Sequence, residues 1–188
     1  MPFIREATLS DKEFIIYLLN AESNNGHFLK CDHNIAVEWA INGMATAPSI
    51  DYFKTIQNNN NSMDAVYSIN GTRMIQRNID ETWLESITVD AGMHIIEDEM
   101  HKRCGFVILR IADDHIEIYN LAIAKECRRN DYASTLICGI ENFSKTIHKP
   151  VRARCYFKST WMISLLEKSG YHEIERGARS ITYEKSVL

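Results

Sequence analysis

The chain is 188 residues long, which at about 150 residues per domain gives one domain with additions, large enough to bury a core without disulfides or metals. Its composition is 45 % hydrophobic and 24 % charged, with three prolines and eight glycines, which excludes collagen-like and low-complexity disordered chains. A net charge of −4 argues against sequence-independent nucleic-acid binding, which needs a basic stripe.

No basic segment followed by an apolar run opens the sequence, and the longest apolar runs, such as Phe106–Leu109, are far too short to cross a bilayer. Five widely spaced cysteines, an odd number, read as free thiols in a reducing compartment. The expectation is a soluble cytoplasmic protein with neither a nucleic-acid nor a membrane partner.

Ile4–Ala7 reads as a short opening strand, and Ser10–Glu13 as a capping box for a helix carrying Phe14, Ile15, Leu18 and Leu19. Asn24-Asn25-Gly26 ends that helix. A second helix is expected over His33–Met44 and a short one over Ser49–Gln57, followed by a solvated connector, Asn58–Asn61. Asn70-Gly71 between Ala65–Ile69 and Thr72–Gln76 is a strong hairpin signal, while Asn78–Glu85 can be read either way.

From residue 92 the pattern sharpens. Met93–Glu97, Gly105–Ile111 and His115–Ile123 read as consecutive antiparallel strands. Asp131–Ile147 is an amphipathic helix, Val151–Cys155 a strand, Thr160–Lys168 a helix stopped by Gly170, and Tyr171–Glu175 with Ser180–Glu184 a closing hairpin around Gly177. This succession is an α+β plan with a mostly antiparallel sheet.

Chemistry concentrates where the strand ending at Ile123 meets the helix starting at Asp131. A helix start offers unpaired N–H groups and about half a positive charge, a natural seat for phosphate oxygens. Lys125, Arg128 and Arg129 add positive charge beside it; the ordinary alternative is a solvated polar turn. Arg128-Arg129-Asn130-Asp131-Tyr132-Ala133 resembles the R/Q-x-x-G-x-G/A pattern of the GNAT acyl-CoA N-acyltransferases. Asn120–Ile123 resembles the strand of that family that pairs with pantetheine. Ser159–Tyr171 resembles its later N-x-x-A-x-x-L-Y-x-x-x-G-F segment, and Ile4–Thr8 with Asp11 its first strand and helix start.

The resemblance covers residues 3–22 and about 92–185. It implies the GNAT fold over 1–188, a mixed, mostly antiparallel sheet with helices on both faces; 24–90, which the resemblance does not cover, is an enlarged helical and hairpin insertion or an acceptor-side region. It also implies acetyl-CoA as co-substrate, its pantetheine arm paired with Leu121, Ala122 and Ile123. The diphosphate would lie on Arg128, Arg129, Asn130, Asp131, Tyr132, Ala133 and Ser134, with Ser159 in place of the family's asparagine. An amine, from a small molecule or a peptide, would attack the thioester directly, in a chain that could pair as a homodimer.

A free alkyl ammonium has a pKa near ~10.4, so direct attack needs a base. Glu117 is the candidate, because its strand resembles the catalytic-glutamate strand of the histone-acetylating branch; a cross-strand charge on a wet face is the alternative. The family's thiolate-protonating tyrosine falls at Leu166 here. Tyr156 is the expected replacement, with Tyr119, Cys155 and ordered water as further options. The pattern's first glycine is Asp131, a carboxylate beside the expected diphosphate unless it caps the helix or pairs with Arg128 or Arg129. Asp131 and Leu166 are the two features that favour a second reading, a non-catalytic GNAT-fold module that senses CoA or binds a protein.

Cys31-Asp32-His33 and His101–Cys104 lack paired metal-ligand spacing, so no metal is expected. Trp39, Trp83 and Trp161 read as core or half-core residues. Gly26-His27-Phe28 follows the first helix, where the family often builds acceptor contacts.

Overall fold

A computed structural model describes residues 2–28, 33–46, 50–60, 62–69, 72–79 and 88–186. The first strand is β1 (Phe3–Glu6), followed by a single 3-10 turn at Leu9–Asp11, α1 (Lys12–Asn24) and α2 (His33–Ile41). Then come β2 (Met44–Thr46), β3 (Ile50–Gln57), β4 (Met63–Ile69), β5 (Thr72–Ile79), β6 (Thr88–Glu97), β7 (Arg103–Ile111) and β8 (Ile116–Ile123). After a 3-10 turn at Lys125–Cys127 come α3 (Tyr132–Ile147), β9 (Val151–Tyr156), α4 (Thr160–Lys168), β10 (His172–Arg176) and β11 (Ser180–Lys185).

The main sheet runs β1-β6-β7-β8-β9-β11-β10, with β2 sharing the outer edge of β6. Its pairings are antiparallel except β8 with β9. The closing hairpin forms as expected, but its second strand, not its first, lies against β9.

The two faces can be told apart by register. Ile4, Ile96, Gly105 and Ile123 lie opposite one another in turn across β1, β6, β7 and β8. A Cβ at Gly139 would come 3.2 Å from Ile4 Cδ1, so α3 covers this face, where Leu136, Ile137 and Ile140 are buried. The other face carries Arg5, Ile95, Phe106 and Ala122 and receives the start of α1 through the Arg5–Asp11 pair.

That pair anchors a network. Arg5 donates both terminal nitrogens to the fully buried Asp11 (2.8 and 2.9 Å), Arg103 Nε lies 2.8 Å from Asp11 Oδ1, and Arg5 also bridges to Glu97 at 2.6 Å. Burial alone would raise the Asp11 carboxyl, but Arg5 and the Thr8 amide outweigh it and hold it at about 2. A folded-state value below the unfolded one gives stability that is complete above about pH 4 and lost as pH falls toward 2. Asp11→Asn should cost about 2–4 kcal/mol at neutral pH, since it leaves two guanidinium groups short of a partner. Urea titrations at pH 7 and pH 2.5 should show the gap between variant and wild type narrowing at the lower pH.

Several local expectations are corrected. The capping box lies earlier than Ser10–Glu13, at Thr8 and Asp11, where the Thr8 amide donates to Asp11 Oδ2 at 2.8 Å. The second helix stops at Ile41, because Gly43 turns left-handed (φ +85°) and Met44 begins a strand against β6. Residues 50–57 are a strand, not a helix: this stretch rich in β-branched and aromatic residues pairs with β4 along its length. Asn58 is more than a solvated connector residue, since its side chain bonds Ser62, Asp64 and Asn78 and accepts from the Asn60 and Ser62 amides. The β4–β5 hairpin is formed in the expected register; Asn70-Gly71 itself, Cys31-Asp32, Asn61 and Trp83 lie outside the described residues. A three-stranded sheet β3-β4-β5 thus occupies much of the 24–90 region.

Among the described residues no helix is long and apolar enough to cross a membrane.

Candidate active site

The single parallel pairing among these strands builds the site. β8 and β9 are in register only at Ile116–Val151, Glu117–Arg152 and Ile118–Ala153. Beyond Ile118 the strands part, because Tyr119 is an extra residue in β8: Ile108 faces Asn120 while Leu109 faces Ile118. Such a bulge bends its strand and re-aims the residues beyond it. After it, the Ala124 amide donates to Cys104 in β7. By alternation the N–H groups of Leu121 and Ile123 point the other way, into the gap. Leu121, Ala122 and Ile123 are all buried.

Gly105 lets β7 follow that strip closely. A Cβ there would sit 2.5 Å from the Ala122 carbonyl oxygen and 2.5 Å from Ile123 Cδ1.

At the open end of the gap the chain turns into α3. Arg129 (φ +66°) and Asp131 (φ +58°) are both left-handed, a conformation that is costly for residues other than glycine and that turns successive amides toward one side. The turn is fixed by its own side chains. Asn130 Nδ2 donates to the Cys127 and Arg128 carbonyls, and Arg128 Nε donates to the Ile123 carbonyl at 3.1 Å. Arg128 also bridges to Glu22 of α1 at 2.6 Å.

Asp131 stands at the position before the helix but its carboxylate makes no capping hydrogen bond. Nor does it pair with Arg128, whose guanidinium goes to Ile123 and Glu22. The left-handed backbone is therefore the feature of glycine that Asp131 keeps. Arg129, Asn130, Asp131 and Ser134 are exposed, with Tyr132 and Ala133 half-buried beside them.

Glu117 lies at the closed end of the gap, on the α1 face of the sheet. Its cross-strand neighbour is Arg110, whose Nη2 is 3.1 Å from Glu117 Oε2. The Glu117 side chain keeps 15 % of its surface exposed. Arg110 is 1 % exposed, and its Nε and Nη1 have no hydrogen-bond partner among the described residues. Its guanidinium carbon lies 4.9 Å above the Tyr119 ring, and burial pushes its pKa down against the pull of Glu117. Each buried unpaired N–H costs about 1–3 kcal/mol, and more on a charged group, so this arginine is held at a standing cost. Sequence reasoning missed it; a lone arginine inside the apolar run 106–111 was the available signal.

Tyr156 ends β9, half-buried, on the same face as Arg152 and Arg154. It is four positions beyond Arg152, the register partner of Glu117, so Tyr156 and Glu117 lie roughly 13 Å apart along the strand direction. The structure does not gather Glu117 and Tyr156 at one atom. Cys155 points to the opposite face, and burial pushes its thiol up to about 12, too high to donate readily to a thiolate. Leu166 is fully buried in the core. Ser159, buried at the start of α4, meets His27 Nδ1 at 3.1 Å, which ties the Gly26–Phe28 loop to that helix start.

The mixed sheet, opened at one bulged parallel pair with a left-handed turn leading into the following helix, has the GNAT fold of the solved structures that match it. No protein-family model matches the sequence, and no curated protein does. Solved structures match it in fold. An acetyltransferase of the GNAT family from Staphylococcus aureus aligns over 100 % of both chains, with TM-score 0.63 and 14 % identity. Spermidine N-acetyltransferase from Vibrio cholerae, solved with CoA and spermine, aligns over 97 % of this chain and 92 % of its own, with TM-score 0.59 and 16 % identity. N-acetylglutamate synthase from Neisseria gonorrhoeae, solved with coenzyme A and N-acetyl-glutamate, takes all of this chain on 35 % of its own, with TM-score 0.64 and 14 % identity.

Proposed function

We propose that this chain is an N-acyltransferase that moves an acetyl group from acetyl-CoA to a primary amine by direct attack in a ternary complex. The observation that carries the reading is the gap beside Leu121–Ile123, with β8 amides aimed into it and a left-handed turn at its mouth. Two of the structurally similar proteins were solved with CoA, which fits the same substrate.

In this reading acetyl-CoA supplies the thioester. The outward amides of Leu121 and Ile123 hold its pantetheine arm, and one of them polarises the thioester carbonyl as an oxyanion-hole donor. The amides of Arg129–Ser134 at the start of α3 take the diphosphate, with Ser159 at the neighbouring helix start. Glu117 accepts the proton of the attacking amine, directly or through a water, as the C–N bond forms and the C–S bond breaks. Tyr156 protonates the departing thiolate. Leu166, where the family's tyrosine falls, is an apolar core residue and has no proton to give.

Calorimetry and thermal shift with acetyl-CoA test the reading. A ligand at 100 times its dissociation constant adds about 2.7 kcal/mol of stability. Binding no better than millimolar would remove it. Binding without thiol release across a broad amine panel would leave the CoA-sensing module instead.

Asp131→Gly gives a sharper test of the diphosphate seat. Glycine keeps the left-handed turn without strain, and no capping bond is lost, so folding stability should hold or rise. Removing the like charge should tighten CoA about tenfold at low salt, with the gain shrinking as salt is raised. Calorimetry at low and high salt reads both.

A further inference from the structure

Arg110 is a cation with nowhere to put its remaining hydrogen bonds. Its Nη2 faces Glu117, while Nε and Nη1 are buried without a partner among the described residues. Buried polar groups of native proteins are nearly always paired, and each exception calls for an explanation such as a ligand. The arginine stands on the α1 face of β7, directly across from the residue placed here as the base. It therefore lies beside Glu117, on the sheet face away from α3 and away from the strip Leu121–Ile123.

The charges around it leave a surplus of cation. Arg154, two residues along β9 from Arg152, is exposed and close enough to repel Arg110 electrostatically. Arg152 is already satisfied by Asp114 (3.1 Å) and Glu184 (2.6 Å). Among the described residues, Arg110 has Glu117 as its one carboxylate partner, with Arg154 adding a second cation nearby. The Tyr119 ring closes the other side of Arg110.

We infer that the amine acceptor carries a carboxylate next to its amino group, as an α-amino acid does, and that Arg110 binds that carboxylate while Glu117 takes the amine proton. This rests on the transferase reading above. The geometry suits a short zwitterion: Arg110 Nη2 and Glu117 Oε2 are 3.1 Å apart, so one ligand end can meet each when its opposite charges are one or two bonds removed. A guanidinium is a planar array of charged N–H donors suited to a carboxylate, and Arg110 has unused donors at Nε and Nη1. A polyamine would bring further cations to a place already rich in them.

The experiment uses matched acceptors that differ only at the carboxylate: phenylalanine against phenethylamine, lysine against cadaverine, and each amino acid against its amide. Coenzyme A thiol release is followed with the whole chain and saturating acetyl-CoA, and acceptor binding is read separately by calorimetry. Wild type should prefer the carboxylate form by about thirtyfold in kcat/KM, which is about 2 kcal/mol. Arg110→Gln should reduce that preference to within about threefold by raising KM for the acid, and Arg110→Lys should restore part of it. Circular dichroism and acetyl-CoA binding establish that each variant is folded.

Equal or better turnover of the decarboxylated partners by wild type would overturn the inference while leaving the transferase reading intact. Failure to bind acetyl-CoA, or to acetylate any member of the panel, would overturn both. Should both variants fail to fold, the wild-type ratio alone still decides the matter.

Discussion

Gly105→Ala is expected to cost about 1–3 kcal/mol of stability and to weaken CoA binding by about tenfold or more. The added methyl would stand 2.5 Å from the Ala122 carbonyl and 2.5 Å from Ile123 Cδ1, far inside van der Waals contact. The side chain of Ile123 can rotate, but the Ala122 carbonyl is backbone and can retreat only if β8 moves as a strand. The strip displaced is the one whose opposite edge is proposed to hold pantetheine. Gly92→Ala is the control, since a methyl there meets nothing nearer than His94 Cε1 at 3.5 Å. Urea unfolding and calorimetry with CoA should show the first variant impaired in both and the second in neither.

Glu117→Gln is expected to lower kcat about 10²–10⁴-fold, the usual worth of a positioned base. A base acts only on the attacking nitrogen, so acetyl-CoA binding should hold while turnover falls. The same change takes from Arg110 the carboxylate 3.1 Å away. Breaking a buried pair from one side typically costs about 3–5 kcal/mol, so a fall in stability must accompany the fall in rate. A purely structural Glu117 would give the stability loss while leaving kcat of the folded protein unchanged. Thiol-release assays and acetyl-CoA calorimetry, with parallel urea titrations, separate the two.

The part of the chain from Met93 onward was legible because its apolar residues follow clean strand and helix periods and its turns carry ordinary turn residues. Thr160–Lys168 agrees to the residue, and the strands differ by one or two positions apart from the longer β6. Residues 50–57 misled because Ile50, Phe53 and Ile56 also fall at helical spacing; the partner strand that decides between the two lies across the Asn-rich turn. The bulge at Tyr119 and the partial register of β8 with β9 have no local sequence mark, since both are set by how three strands fit together.

The site was legible in its backbone and less so in its side chains. Asp131 could be placed at the glycine position, but its left-handed geometry without a cap could not be read from the letters. Arg128 reads as a phosphate ligand beside a helix start, yet it ties Ile123 to Glu22. Glu117 carries no local sign that its neighbour is a buried arginine, because Arg110 is seven residues earlier and meets it only across the β7–β8 register.

The tie from Arg128 to Glu22 has a thermodynamic consequence. It clamps the turn between β8 and α3 onto α1 before any ligand arrives, and Asn130 clips the same turn from within. The proposed anion seat is then ready-made, and in that reading little ordering entropy remains to be lost when a diphosphate docks. Uptake of the nucleotide should accordingly resemble a key entering a cut lock more than the zipping of a loose loop.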